Sequence, residues 1–151
     1  MELFKNLQEV IAFAIDQEEA SFQLYTRAAG MVKAISSRKM LEEMAAQELG
    51  HKRLLQGMDK ERIATYQVVK VPDLKIGDYL VDVKYSEDMT YQQILIFAMK
   101  AEERAARLYT SACSLTSDPE AIKMLELLAN EEKKHKFIIE SLYDDKVLAE
   151  N

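Results

Sequence analysis

The sequence predicts an all-α protein: an antiparallel four-helix bundle built from two repeated helical hairpins and a long crossover. Three observations lead there. Helix-forming residues dominate, while glycine (4) and proline (2) are scarce and tryptophan is absent. Apolar residues recur at helical spacing in four long stretches. The two halves of the chain repeat each other at a constant offset of 84 residues.

The first helix is expected from about Leu7 to Ala29. Asn6 and Glu9 have capping-box spacing, and Gly30 is a natural stop. Val10, Ile11, Ala14, Ile15, Leu24 and Ala28 form its apolar stripe. The second helix is expected from about Ser37 to Gln56, ending at Gly57, with Met40, Leu41, Met44, Ala45, Leu54 and Leu55 inward. The third starts near Thr90, where Gln93 completes a second capping box. It carries Ile94, Leu95, Phe97, Ala98, Leu108 and Ala112. The fourth opens at Ser117-Asp118-Pro119-Glu120 and runs to about Tyr143, with Ile122, Leu125, Leu128, Phe137 and Ile138 inward.

A single domain over residues 1–151 follows, with one hairpin at about 7–57 and the other at about 90–143. The stretch from about 59 to 89 is different: it holds Pro72, Gly77 and a partly alternating run at Tyr66–Val71. A helix of about 20 residues is roughly 30 Å long. A second hairpin that repeats the first needs a connection crossing that length. A short helix around Asp78–Val83 is expected within it.

The repeat holds residue by residue. Residues 12–28 and 96–112 share 8 identities over 17 positions, and residues 39–55 and 123–139 share another 8 over 17. Among the repeated residues are Glu18/Glu102, Tyr25/Tyr109, Glu48/Glu132 and His51/His135. The last two pairs form two Glu-x-x-His motifs, Glu48-Leu-Gly-His51 and Glu132-Lys-Lys-His135. They use both histidines of the chain.

On a helix, residues three apart share a face, so each Glu and His can aim at one point. Glu18 and Glu102 add one carboxylate from each remaining helix. This is the ligand arrangement of di-iron and di-manganese carboxylate bundles. Four buried carboxylates are costly alone, whereas two divalent ions balance their charge. Oxygen and imidazole donors suit iron or manganese and also accept zinc. Glu48 and Glu132 are expected to bridge the two ions. Tyr25 and Tyr109 lie two turns beyond Glu18 and Glu102. They fit either hydrogen bonding to the ligand carboxylates or ordinary core packing. Glu19, Glu103 and Glu131 fit solvated helix faces, and Cys113 a small buried apolar position.

The net charge of −6 opposes nucleic-acid or anionic-membrane binding. A lone cysteine excludes an internal disulfide framework or a four-cysteine metal site. No apolar run is long enough to span a membrane, and the first residues lack a leader pattern. A cytoplasmic location is expected.

Glu18-x6-Tyr25, Glu48-x-x-His51, Glu102-x6-Tyr109 and Glu132-x-x-His135 resemble the motifs of the rubrerythrin branch of the ferritin-like superfamily, across about 7–58 and 90–143. Bacterioferritins share much the same six ligands. The resemblance implies two iron ions, held by Glu18, Glu48, His51, Glu102, Glu132 and His135. It also implies an oxidoreductase that reacts with hydrogen peroxide or O2. Full-length rubrerythrins carry a rubredoxin-like module with four cysteines; Cys113 alone cannot supply one. Electrons are therefore expected from a separate donor protein. Rubrerythrins commonly have a further Glu three residues after the third-helix ligand, linked to redox-dependent iron movement. Ala105 stands there, which leaves a more symmetric site. Leu49 occupies the place of the haem-ligating Met of bacterioferritins, so no haem is expected. A homodimer or small homo-oligomer is expected. The alternatives are Fe(II) oxidation for iron storage or delivery, and a non-catalytic helical interaction module.

Overall fold

The computed structural model describes residues 3–84 and 86–146, except for the side chains at positions 60, 79 and 146. The first two residues, part of the expected leader-free start, and residues 147–151 of the expected domain lie outside it. The described residues form five α-helices: α1 (Leu7–Met31), α2 (Ile35–Gln56), α3 (Lys60–Thr65), α4 (Tyr91–Ala112) and α5 (Pro119–Lys146). Four are long, and the described residues contain no strand.

The caps explain most boundaries. The Asn6 side chain accepts the Glu9 N–H and opens α1. Thr90 and Gln93 form a reciprocal capping box on α4. Asp118 Oδ1 accepts the Glu120 and Ala121 N–H groups ahead of α5, and Pro119 takes the first helical position. Two boundaries differ from the sequence expectation. Gly30 does not stop α1, which continues through Met31 before extended Val32 returns its N–H to Ala28. Ser37 does not open α2. The helix begins at Ile35 after an uncapped Ala34, and Ser37 is buried inside the first turn.

α1 packs along α2, and α4 along α5; the hairpins meet through α1 with α5 and α2 with α4. Leu3 and Phe4 donate their N–H groups to Leu115 at the α4–α5 turn. Lys33, in the α1–α2 turn, donates to Glu87 at the end of the crossover. These two tethers put α1 and α5 parallel, and likewise α2 and α4. The connection between α2 and α4 therefore runs the length of the bundle.

The crossover is ordered by α3 and by a 3-10 turn at Ile76–Tyr79, two residues earlier than the helix expected there. Asp59 caps α3 by accepting the Arg62 N–H. Asn130 on α5 accepts the Val69 N–H and donates to the Val69 carbonyl, which pins the extended run. Buried Glu140 accepts the Gly77 N–H, and Lys136 donates to Asp73 at 2.8 Å. A Cβ on Gly77 would meet the Met99 sulfur at 3.2 Å, so the turn sits hard against α4.

The core forms two apolar clusters. One contains Ile94, Leu95, Ala98, Met40, Leu41 and Ile139. The other contains Val10, Ile11, Ala14, Met124, Leu125 and Leu55. These are repeat partners at the 84-residue offset. Between the clusters lies a polar layer. Three residues assigned inward are exposed instead: Leu54 (41%), Leu108 (40%) and Ile138 (52%). Leu54 and Ile138 are repeat partners that precede buried Leu55 and Ile139. In each adjacent apolar pair, helical rotation lets only the second face the core.

Candidate metal centre

The polar layer is made by the middle turns of the four long helices. α1 contributes Glu18, α2 Glu48 and His51, α4 Glu102, and α5 Glu132 and His135. All four carboxylates are buried, at 1–2% exposure. All six residues singled out from the sequence therefore meet in one place.

Their contacts preserve the repeat. His51 Nδ1 lies 3.5 Å from Glu18 Oε2 and 3.7 Å from Glu132 Oε1. His135 Nδ1 lies 3.8 Å from Glu102 Oε2 and 3.8 Å from Glu48 Oε1. Each histidine thus faces a glutamate of its own hairpin and a Glu-x-x-His glutamate of the other. The two imidazoles stack, with centroids 4.7 Å apart.

Beside a smaller group of Glu48, His51 and His135, two overlapping groups of four could each hold a metal ion: Glu18, Glu48, His51 and Glu132, and Glu48, Glu102, Glu132 and His135. Within each, one donor atom per residue lies within 4.8 Å of the others. Both groups contain Glu48 and Glu132. The remaining residues divide between them, one Glu and one His to each.

Every one of the six residues also has a buried polar atom without a hydrogen-bond partner. These are one carboxylate oxygen on each glutamate, and Nδ1 on each histidine. Buried polar groups normally find partners, and an orphan costs about 1–3 kcal/mol. Six orphans converging on one layer fit cations as the missing partners. The donor set, oxygen with imidazole nitrogen, suits iron, manganese or zinc.

Tyr25 and Tyr109 are almost fully buried, and they reach across the bundle. The Tyr25 hydroxyl donates to Glu102 at 3.3 Å, and the Tyr109 hydroxyl to Glu18 at 3.1 Å. Each tyrosine therefore holds the glutamate of the opposite hairpin. Edge-on contacts with Phe97 and Phe13 fix their rings. Burial pushes both phenols above their ordinary range, so they remain donors.

Without cations part of the layer keeps its protons. Burial, with the neighbouring Glu18 and Glu132 carboxyls, pushes Glu48 up to about 11. Burial also raises Glu102, with Glu132 adding to it, and raises Glu132. Burial opposes ionisation of Glu18 as well, but His51 and Glu48 outweigh it and hold Glu18 at about 2. Burial disfavours a charged His51, yet Glu132 and Glu18 lift it to about 10. Burial and the His51 cation hold His135 down at about 4. Divalent ions entering this layer would displace those protons.

Glu19, Glu103 and Glu131 stand apart from the centre. Each is paired on the outer faces, with Lys52 at 2.8 Å, Arg107 at 2.6 Å and Lys134 at 3.2 Å. Cys113 is half-buried at the end of α4 and directs its thiol to the Tyr109 carbonyl. Sequence reasoning missed a second feature at the centre. A half-open cleft of about 190 Å³ between α1 and α4 reaches Glu18, Glu132 and Tyr109, lined by Ser21, Leu24, Ala105 and Leu108. The signal was present in the repeat: Ser21 and Ala105 are both small and occupy equivalent positions.

Comparison with known proteins agrees with this geometry. No curated protein matches the chain. A solved structure, a hypothetical protein from Pyrococcus furiosus, is 20% identical and superposes with a TM-score of 0.53, covering 91% of this chain and 88% of that one. At that identity the likeness speaks for the fold alone. The Rubrerythrin family profile matches residues 9–144, which takes in nearly all of the four long helices and all six residues of the polar layer. No helix among the described residues is long and apolar enough to cross a membrane. With its repeated hairpins, its carboxylate and histidine layer and that near full-length match, the chain belongs to the rubrerythrin family, whose members bind iron.

Proposed function

We propose that the protein is a di-iron carboxylate oxidoreductase that reduces hydrogen peroxide or O2 with electrons from a separate donor protein. The observation that carries this reading is the convergence of six unpartnered donor atoms in two groups that share Glu48 and Glu132. Two iron ions, when bound, would supply the redox chemistry. Glu48 and Glu132 would each serve both ions. Glu18 and His51 would complete one set, Glu102 and His135 the other. Tyr109 and Tyr25 orient Glu18 and Glu102 through their hydroxyls, so each hairpin steadies the other's terminal carboxylate. The two apolar clusters keep bulk water from the layer. The α1–α4 cleft gives a small oxidant access to the Glu18 and Glu132 side. A cytoplasmic location and a dimer or small homo-oligomer complete the reading.

The test is anaerobic loading with Fe(II), followed by mixing with hydrogen peroxide and with O2 in separate experiments. Rapid oxidation of two Fe(II) per chain, re-reduction by a donor and a small oligomer in solution support the proposal. Accumulation of an iron mineral in a hollow multi-subunit shell would point to storage instead. A chain that takes up no transition metal would leave a non-catalytic helical module.

A further inference from the structure

Two clefts approach the polar layer, and they differ in size and lining. The one between α2 and α5 is about 70 Å³, reaches His135 and is walled largely by Met40, Met44, Ile138 and Ile139. The one between α1 and α4 is about 190 Å³ and reaches Glu18, Glu132 and Tyr109. A water molecule takes up about 30 Å³ of liquid, and an apolar cavity of about 150 Å³ holds benzene. Hydrogen peroxide or O2 would fill only a small part of the larger cleft.

The lining also specifies a ligand. Leu24 on α1 and Leu108 on α4 are the large apolar residues of the lining, one on each side of the Ser21–Ala105 pair, and offer hydrogen peroxide no polar partner. Ser21 and Ala105, repeat partners on facing helices, are the small residues between the two leucines. The floor is polar, with Glu18, Glu132 and Tyr109. Arg104 is the one cation among the described residues lining the cleft, and it is paired with Asp82 at 2.7 Å. The lining side chains by themselves therefore offer an anionic ligand no unpaired cation. The site suits a neutral molecule with a compact apolar group at one end and an oxygen function at the other.

We propose that the α1–α4 cleft binds a small neutral organic hydroperoxide. Its apolar group lies between Leu24 and Leu108, and its peroxide end points to the Glu18–Glu132 floor. This assignment rests on the redox reading above. The reaction is ROOH with two electrons and two protons giving ROH and H2O. The O–O bond breaks, the inner oxygen leaves in the alcohol and the outer one as water. The electrons are those of the donor protein.

Binding is tested apart from turnover. The full chain is titrated calorimetrically with 2-phenyl-2-propanol, the alcohol left by cumene hydroperoxide. The proposal expects saturable one-to-one binding, weakened at least about tenfold by Ala105→Phe and by Ser21→Phe. These residues lie on opposite walls, and circular dichroism checks that each variant is folded. Ile138→Phe, in the other cleft, should leave alcohol binding unchanged. Cumene hydroperoxide should oxidise the reduced, Fe-loaded chain, and Ala105→Phe should slow that oxidation. Absence of saturable binding, or binding unaffected by both cleft variants, overturns the site. Saturable binding with oxidation by hydrogen peroxide alone overturns the hydroperoxide assignment. Saturable binding with oxidation by no peroxide overturns the redox reading and the hydroperoxide assignment together, and leaves a ligand site.

Discussion

The first hairpin presents Glu18, Glu48 and His51 to the centre, and the second presents Glu102, Glu132 and His135 at the same offset. Their geometry is nearly interchangeable, with histidine-to-carboxylate distances of 3.5–3.7 Å in one and 3.8 Å in the other. Their protons are not. His51 is held charged to about 10 beside an ionised Glu18, whereas His135 is held neutral and Glu102 keeps its proton. Stacked imidazoles 4.7 Å apart disfavour two like charges, so one half takes the ion pair and the other goes without. A repeated sequence therefore gives a repeated shape, while burial and charge break the symmetry of protonation. Two cations, one beside each histidine, would remove the reason for that break.

The hairpins differ outside the centre as well. The crossover lies against the second hairpin through Asn130, Lys136 and Glu140. The equivalent positions in the first are Ala46, Lys52 and Gln56, and there Lys52 pairs with Glu19 of its own hairpin. Only the second hairpin is tied to the connecting segment at these positions.

The largest expected effect tests which residues the halves share. Glu48→Ala or Glu132→Ala removes a carboxylate common to both groups, so metal analysis should show both ions lost and activity at background. Glu18→Ala or Glu102→Ala should chiefly weaken one ion, leaving about one per chain. Equal loss from all four variants would break the distinction. Next, Tyr25→Phe and Tyr109→Phe remove hydrogen bonds that cross between the hairpins. Each should weaken metal binding by about 10–100-fold, and by similar amounts, as measured by competition with a chelator. Unequal losses would mean that the repeat ends at the carboxylates.

A smaller effect separates the outer faces. Lys136→Met leaves the Glu140 carboxylate buried without its nearest cation, 3.7 Å away, and should lower stability by about 1–3 kcal/mol in denaturant unfolding. Lys52→Met breaks a more exposed pair and should change little. A further effect is in pH. Raised groups in the metal-free fold, Glu48 to about 11 and His51 to about 10, bind protons that the unfolded chain has released. The His51 contribution is full below its unfolded value of 6.5 and is lost as pH rises toward 10, and the raised carboxyls act in the same direction. Metal-free protein should therefore melt lower at pH 9 than at pH 7, by roughly 10 °C or more. Loaded protein should resist this shift, because the ions replace those protons.

The repeat made the centre legible before any coordinates. Glu18, Glu48, His51, Glu102, Glu132 and His135 are polar residues at matched positions in otherwise apolar stripes, and periodicity turns them inward. What was not legible depends on where the two halves depart from each other or on helical rotation. Asn130 and Glu140 anchor the crossover, yet as isolated polar residues on a helix they carry no local signature. Leu54, Leu108 and Ile138 look like core residues by composition, but rotation places them outside. The crossing of Tyr25 to Glu102 and Tyr109 to Glu18 follows from how the hairpins meet, which no local pattern encodes.

The central claim is that the polar layer is a two-ion site with Glu48 and Glu132 in common. Metal content and melting temperature, measured together on the wild type and on Glu48→Ala with Glu132→Ala, test it most directly. A two-ion site gives two iron ions per wild-type chain, a higher melting temperature with metal than without, and neither property in the double variant. A wild-type chain that binds no transition metal and melts at the same temperature with or without iron would contradict it.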